Sequence, residues 1–205
     1  MVRYLDPKNR VARRFGVNIF GRARNPLLHK QNPPGVHGAR RPKKSDYGLQ
    51  LEEKQKLRAA YGMLTQKQLL GYYRKAVQQK GAPVENFLRM LESRLDVVVY
   101  RLKLAPTLFA AHQLVSHGHI LVDGKKVDIR SFQVKPGMAI SIKEKSRKMP
   151  LIQNALQGSS AVPEYLTVNV EKSEGKMESV PMPDQIPLPI EVNVPVVCEF
   201  LAHTS

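Results

Sequence analysis

The chain has 205 residues, 42% of them hydrophobic, with 33 Lys+Arg against 17 Asp+Glu and a formal net charge of +16. That length and apolar content suffice for one domain or two small ones with real cores, which excludes a wholly disordered polycation. The single cysteine, Cys198, excludes an internal disulfide and a multi-thiolate zinc site within one chain.

Residues 1 to 150 hold 31 Lys+Arg and 10 Asp+Glu, whereas residues 151 to 205 hold 2 and 7. A polyanion partner suits this asymmetry, because each neutralised phosphate releases counterions and the gain accumulates over many contacts. An anionic membrane is the other candidate surface. Against it stand the lack of a long apolar span, of a secretory leader and of a terminal helix that sets a wide apolar face beside a basic one. The chain reads as soluble and cytoplasmic, with no membrane partner.

Residues 1 to 44 carry 12 basic side chains and one acidic one, and Gly16, Gly21, Pro26, Pro33, Pro34, Gly35, Gly38 and Pro42 interrupt any long helix. One short helix is expected around Pro7 to Phe15. The residues alone leave open a solvated tail or a segment that orders against RNA. From Ser45 to Lys80 the pattern turns helical. Leu51, Leu57, Tyr61 and Leu64 form an imperfect stripe, and Thr65 can cap a second helix bearing Leu69, Tyr72, Tyr73, Ala76 and Val77, which Gly81 ends. Tyr72 and Tyr73 could stack on bases, but their helical spacing favours at least one as core. Pro83 opens a third helix with Phe87, Leu88 and Leu91 on one side.

Leu91, Leu95, Val98, Val99 and Leu102 then recur at steps of three and four, leaving Arg94, Arg101 and Lys103 off the apolar stripe. Thr107 can cap a further helix that buries Ala110, Ala111, Leu114 and Val115 and stops at Gly118. His119 to Val122 suits a strand, and Asp123-Gly124 tolerates the positive backbone angles of a tight hairpin turn before Lys125, Lys126 and Val127 return the chain. After Pro136-Gly137, Met138 to Ile142 alternates as another strand, followed by Lys143, Lys145, Arg147 and Lys148. Beyond Lys148, Leu166, Val168 and Val170 alternate as a strand, and Glu174-Gly175-Lys176 marks a turn. Pro181, Pro183, Pro187, Pro189 and Pro195 forbid regular helices there. Val194 to Leu201 is a last apolar run. There is no internal repeat.

The run from Arg94 to Leu102 with Leu114 to Asp128 resembles the RNA-binding module of the small-subunit ribosomal protein four family. Met1-Val2-Arg3-Tyr4-Leu5 looks like that family's start, and GVHGARRPKKSDYGLQLEEKQKL, residues 35 to 57, like its most recognisable stretch. The matches run in order over roughly three fifths of the chain, which is more specific than a lone short motif. The resemblance is to the bacterial-type or organellar branch.

The resemblance implies an α+β fold with a basic amino-terminal extension over 1–44. A mostly helical, discontinuous domain over 45–90 is completed by 185–205, and an inserted helix-helix-β-hairpin RNA-binding domain over 91–184 holds the module at 94–148. It implies a structural constituent of the small subunit that binds a multi-helix junction in the 5′ domain of small-subunit ribosomal RNA early in assembly, in a cytoplasmic or organellar ribosome. A contact with small-subunit ribosomal protein five around Asp46 and Gln50, influencing decoding accuracy, is also implied. Arg40, Arg41, Lys43 and Lys44 resemble a basic lining near the path by which messenger RNA enters. No cofactor and no catalytic residue is implied. Some relatives carry a cysteine cluster near the amino end, and its absence between Met1 and Lys44 means that their metal function does not transfer.

RNA helices expose phosphates and 2′-hydroxyls more readily than base edges, so a junction binder needs a rigid cationic surface. Candidate contacts are Arg94, Arg101, Lys103, Gln113, His117, His119, Lys125 and Lys126 in the module, with Arg130 and Lys143 as further candidates. Arg3, Arg13 and Arg14 are candidates in the extension. The bland reading of each is a solvated surface charge. The six histidines lack the spacing and carboxylate support of a metal or catalytic set. Asp96 and Asp123 are read structurally, as an orienting partner for a nearby arginine and as turn chemistry. Leu108 and His112 depart from the family, standing where arginines are common. Similar modules occur in RNA-modifying enzymes and some aminoacyl-tRNA synthetases, but no catalytic constellation is visible here. A free regulatory RNA or DNA binder is the remaining alternative.

Overall fold

The computed structural model describes residues 4–21, 24–40, 43–158, 161–169 and 172–204. In chain order its helices are α1 (Lys8–Phe15), α2 (Asp46–Ala60), α3 (Gln66–Gln78), α4 (Pro83–Glu92), α5 (Leu95–Arg101), α6 (Leu108–Ser116), α7 (Glu144–Arg147), α8 (Pro150–Leu156) and α9 (Val194–His203). The strands are β1 (Ile120–Val122), β2 (Lys125–Lys126), β3 (Ala139–Ile142), β4 (Leu166–Asn169) and β5 (Glu174–Met177). Two compact units result, one of Met1–Val84 with Leu188–Ser205 and one of Glu85–Pro187. The mixed helix and small antiparallel sheet agree with the α+β class expected from the sequence.

Side-chain caps set the starts of α2, α3 and α9 in the first unit. The Ser45 hydroxyl accepts from the Gly48 N–H at 3.3 Å, and Asn193 accepts from Val196 at 3.3 Å. Thr65 and Gln68 form a reciprocal capping box, each side chain accepting from the other's backbone N–H at 3.2 Å. The last apolar run is α9, which packs along α2. Its Phe200 ring lies 5.4 Å from Tyr47, the Lys54 ammonium sits 4.3 Å from the same ring, and the Asn193 N–H donates to Glu53 at 2.7 Å. Leu69, Tyr72 and Ala76 carry the buried face of α3, while Tyr73 is half-buried. Val77, expected on that stripe, is 50% exposed, since steps of three and four from Leu69 select Tyr72 and Ala76 instead.

In the second unit the apolar stripe from Leu91 to Leu102 crosses a break instead of following one helix. Ser93 closes α4 in a turn and Arg94 is extended: the Leu95 N–H donates to Phe132 and the Val134 N–H to Ser93, both at 2.8 Å, so Arg94 is held in an isolated β-bridge with Gln133. Leu95, Val98, Val99 and Leu102 still share one core with Ala111, Leu114, Val115, Ile120, Ile140 and Ile142. Thr107 caps α6 by accepting from Ala110 at 3.2 Å. Asp123 (φ 48°) and Gly124 (φ 77°) make the tight turn that pairs Val122 with Lys125. The sheet is antiparallel throughout, in the order β2-β1-β3-β5-β4.

Glu174-Gly175-Lys176, expected as a turn, lies within β5, and Ser173 (φ 51°) precedes it. Gly175 serves close packing, because a Cβ there would lie 2.4 Å from Cδ2 of Leu102, itself fully buried. Helices α7 and α8 have no counterpart in the sequence pattern; α8 opens on Pro150 and buries Ile152 and Ala155. Val170 of the expected strand lies outside the described residues. Gly175→Ala should destabilise the protein by about 1–3 kcal/mol through overpacking, read as a lower urea midpoint at unchanged slope. An unchanged midpoint would contradict this packing role.

Candidate nucleic-acid interface

The module sorts its cations into two groups, inside and outside. Arg94 is only 2% exposed, and its guanidinium clasps Asp96, with Nε to Oδ1 at 3.0 Å. Asp96 is fully buried, accepts from the Val97 N–H at 2.9 Å, and lies 3.1 Å from Nε2 of His112. Burial alone would raise the Asp96 carboxyl, but Arg94 and His112 together hold it below the usual carboxylate range. Arg101, 8% exposed, donates to Glu92, whose Oε1 also accepts from the Tyr165 hydroxyl at 2.7 Å. Burial and the adjoining Glu92 carboxylate push the Tyr165 hydroxyl far up. Arg94 and Arg101, expected as RNA contacts at the surface, instead lie in the interior against these carboxylates. Their position beside the apolar stripe resembles a surface one in the sequence, but the carboxylates of Asp96 and Glu92 draw them inward.

Outside, Lys125 and Lys126 stand exposed on β2, and Gln113 and His117 are exposed on and after α6. His119 is half-buried, with Nδ1 2.9 Å from the Ser146 hydroxyl, and its ring lies 6.1 Å from that of His117. Lys143, exposed, joins the same corner, its N–H donating to the His119 carbonyl at 2.9 Å. Lys103 is half-buried in a left-handed conformation (φ 59°), with its ammonium 5.6 Å from the Tyr100 ring. Burial and then Arg101 lower its pKa. Arg130 is half-buried, its carbonyl accepting from the Asp96 N–H. Ser146 escaped the sequence reading, because nothing local reveals a partner 27 residues from His119.

In the first unit Arg13 donates to the carbonyls of Asn32 and Pro33 at 2.9 and 3.2 Å, tying that loop to α1, while Arg14 is exposed. Arg40, Lys43 and Lys44 are exposed, and Lys44 pairs with Glu52. Arg3 and Arg41 lie outside the described residues. Asp46 is exposed and Gln50 half-buried, both in the first turns of α2. Among the described residues no group of His, Cys, Asp and Glu could hold a metal ion, and no helix is long and apolar enough to cross a membrane.

A model of the ribosomal protein S4/S9 N-terminal domain matches residues 3–92, and a model of the S4 domain matches residues 93–140. The chain is 65% identical over 206 residues to small ribosomal subunit protein uS4 of Protochlamydia amoebophila, covering 100% of both. It is 58% identical over 209 residues to the protein of that name from Chlamydia muridarum and 57% to that from Chlamydia trachomatis, again covering 100% of each. The chain belongs to the uS4 family of small ribosomal subunit proteins. The uS4 family is structural and non-enzymatic, which sets aside the RNA-modifying alternative. The S4 domain is an RNA-binding domain, and its match spans α5, α6, the β1–β2 hairpin and the start of β3.

Asp96→Asn should cost about 3–5 kcal/mol, because it leaves Arg94 as an uncompensated buried charge. The depressed carboxyl contributes stability that is fully present above its unfolded value and is lost as pH falls through its folded value. The variant should accordingly lose part of the wild-type decline in stability at acidic pH. Urea unfolding from pH 2 to 7 tests both, and a wild-type midpoint in the variant would contradict the assignment.

Proposed function

We propose that this ribosomal protein is a primary binder of small-subunit ribosomal RNA that seats a multi-helix junction of the 5′ domain and nucleates subunit assembly. The observation that carries the reading is the sorting of charge in the S4 domain. Two arginines are consumed by buried carboxylates that stiffen the frame, and His117, Lys125, Lys126 and Lys143 are left at its surface. A stiff frame lowers the entropy lost when side chains meet phosphates, and it suits an RNA recognised by shape. Gln113 and His119 are further contacts in this reading, and Arg13 and Arg14 extend it into the first unit. Arg3 and Arg41 belong to it by resemblance alone.

Two protein-side roles accompany RNA binding. Asp46 and Gln50 are the contact to small-subunit ribosomal protein five, through which the chain influences accuracy. Their neighbours Tyr47 and Leu49 are 62% and 50% exposed, which supports a partner-covered patch at the start of α2. Arg40, Lys43 and Lys44 line the approach of messenger RNA, their exposure in a basic stretch supporting contact with a polyanion.

Replacing Lys125 and Lys126 together with Glu should weaken binding to a transcript of the 5′ domain and flatten its salt dependence. Each lost phosphate contact should change the logarithmic slope by ~0.7–0.9. Filter binding across a potassium chloride series reads both, and unchanged affinity and slope would remove these lysines from the interface. Substitution of Asp46 and Gln50 by Ala should raise or lower misreading in a translation assay while 5′-domain affinity stays within about twofold, an energy change of only some 0.4 kcal/mol. An affinity loss with normal misreading would refute the partner contact.

A further inference from the structure

We propose that binding of ribosomal RNA by this chain takes up protons at the His117–Gly118–His119 corner, so that RNA is held more tightly under mildly acidic conditions than under alkaline ones. The inference rests on the proposed RNA contact of this surface and adds to it a response to pH.

Three elements converge on the corner. His117 caps the end of α6, and the left-handed Gly118 (φ 70°) turns the chain so that His119 follows on the same side. A side chain at Gly118 would collide with Lys126, its Cβ falling 2.2 Å from the lysine Cε, so the missing side chain leaves room for the Lys126 stem to pass beside the turn between the two histidines. Lys143 arrives from the end of β3, with its N–H on the His119 carbonyl. Ser146, on α7, holds Nδ1 of His119, which leaves Nε2 to meet an incoming group.

The charges around the pair are mostly positive. Burial, then His117 and Lys143, lower the pKa of His119. Lys126 has only a loose partner in Asp128, at 3.9 Å. On α7, Glu144 and Lys145 flank the corner in sequence, and Arg147 is engaged with Glu174 at 3.5 Å. In the free protein the cluster thus resists gaining another charge. A phosphate laid across it reverses that balance, because the anion stabilises each imidazolium and screens the lysines from it. Binding then raises the pKa of His119, and linkage requires that affinity rise as pH falls between its free and its bound values.

The direct measurement is proton uptake. Calorimetric titration of the protein with a 5′-domain transcript at fixed pH, in two buffers of different ionisation enthalpy, counts protons taken up by the wild type. The same titration with His117→Gln/His119→Gln counts those owed to the pair, since protonation of the RNA itself is common to both proteins. The expected result is uptake that drops in the variant, with wild-type affinity changing about three- to tenfold per pH unit between the free and the bound values of His119 and the variant changing less. Zero uptake by the wild type, or uptake unaltered in the variant, overturns the inference. If the double variant is misfolded by circular dichroism, the imidazole resonances of the wild type decide, and they must move to higher pKa when RNA is added. Failure to bind the transcript at every pH would instead refute the underlying RNA-contact reading.

Discussion

Everything in the S4 domain turns on how it handles buried charge around α5. Asp96 at the first turn grips Arg94 and meets His112, and Arg101 at the last residue is held by Glu92, which Tyr165 also satisfies. An isolated ion in such an interior would be prohibitive, and a pair is tolerable only when the remaining donors and acceptors are met. The result is a short helix pinned at both ends to its surroundings, through α6 at one end and through α4 and the segment before β4 at the other. Its apolar stripe forms the floor on which α6, β1 and β3 assemble. Rigidity of the cationic surface follows from that pinning, since His117, Lys125, Lys126 and Lys143 hang from elements packed on the same core.

Much of this was legible along the chain. Thr107, Gly118 and Asp123-Gly124 each specify a local geometry with few alternatives, and the structure places a cap, a helix stop and a hairpin at those residues. The alternation in Met138 to Ile142 likewise became β3. Asp96 was read as the partner of a nearby arginine, as it is. What failed was anything decided by long-range contact. Arg94 and Arg101 look like surface cations to a helical wheel, and only Asp96 and Glu92 in place reveal them as interior. Glu174-Gly175-Lys176 carries the composition of a turn, yet its glycine answers to Leu102, 73 residues earlier in the chain. The break at Ser93 and Arg94 depends on pairing with the segment around Phe132 to Val134, which no window of local periodicity contains.

Charge is also divided between the two ends of the sequence. The basic side chains concentrate before residue 150, and the remainder is mildly acidic. In the first unit the consequence is economical: α9, nearly free of charge, supplies the apolar face for α2 and accepts the Lys54 ammonium on the Phe200 ring. Burial and Arg58 lower the pKa of that lysine, so the aromatic face is suited to keeping it seated. The carboxy-terminal helix thus acts as structural support for α2.

On the proposed function, a prestiffened cationic frame recognises a folded ribosomal RNA junction directly. Hydroxyl-radical footprinting of the purified protein on naked small-subunit ribosomal RNA, with excess duplex DNA as competitor, tests it most directly. A compact set of protections clustered where helices meet in the 5′ domain, surviving the competitor, is the expected result. Protections scattered over the whole RNA, or abolished by the DNA, would contradict it.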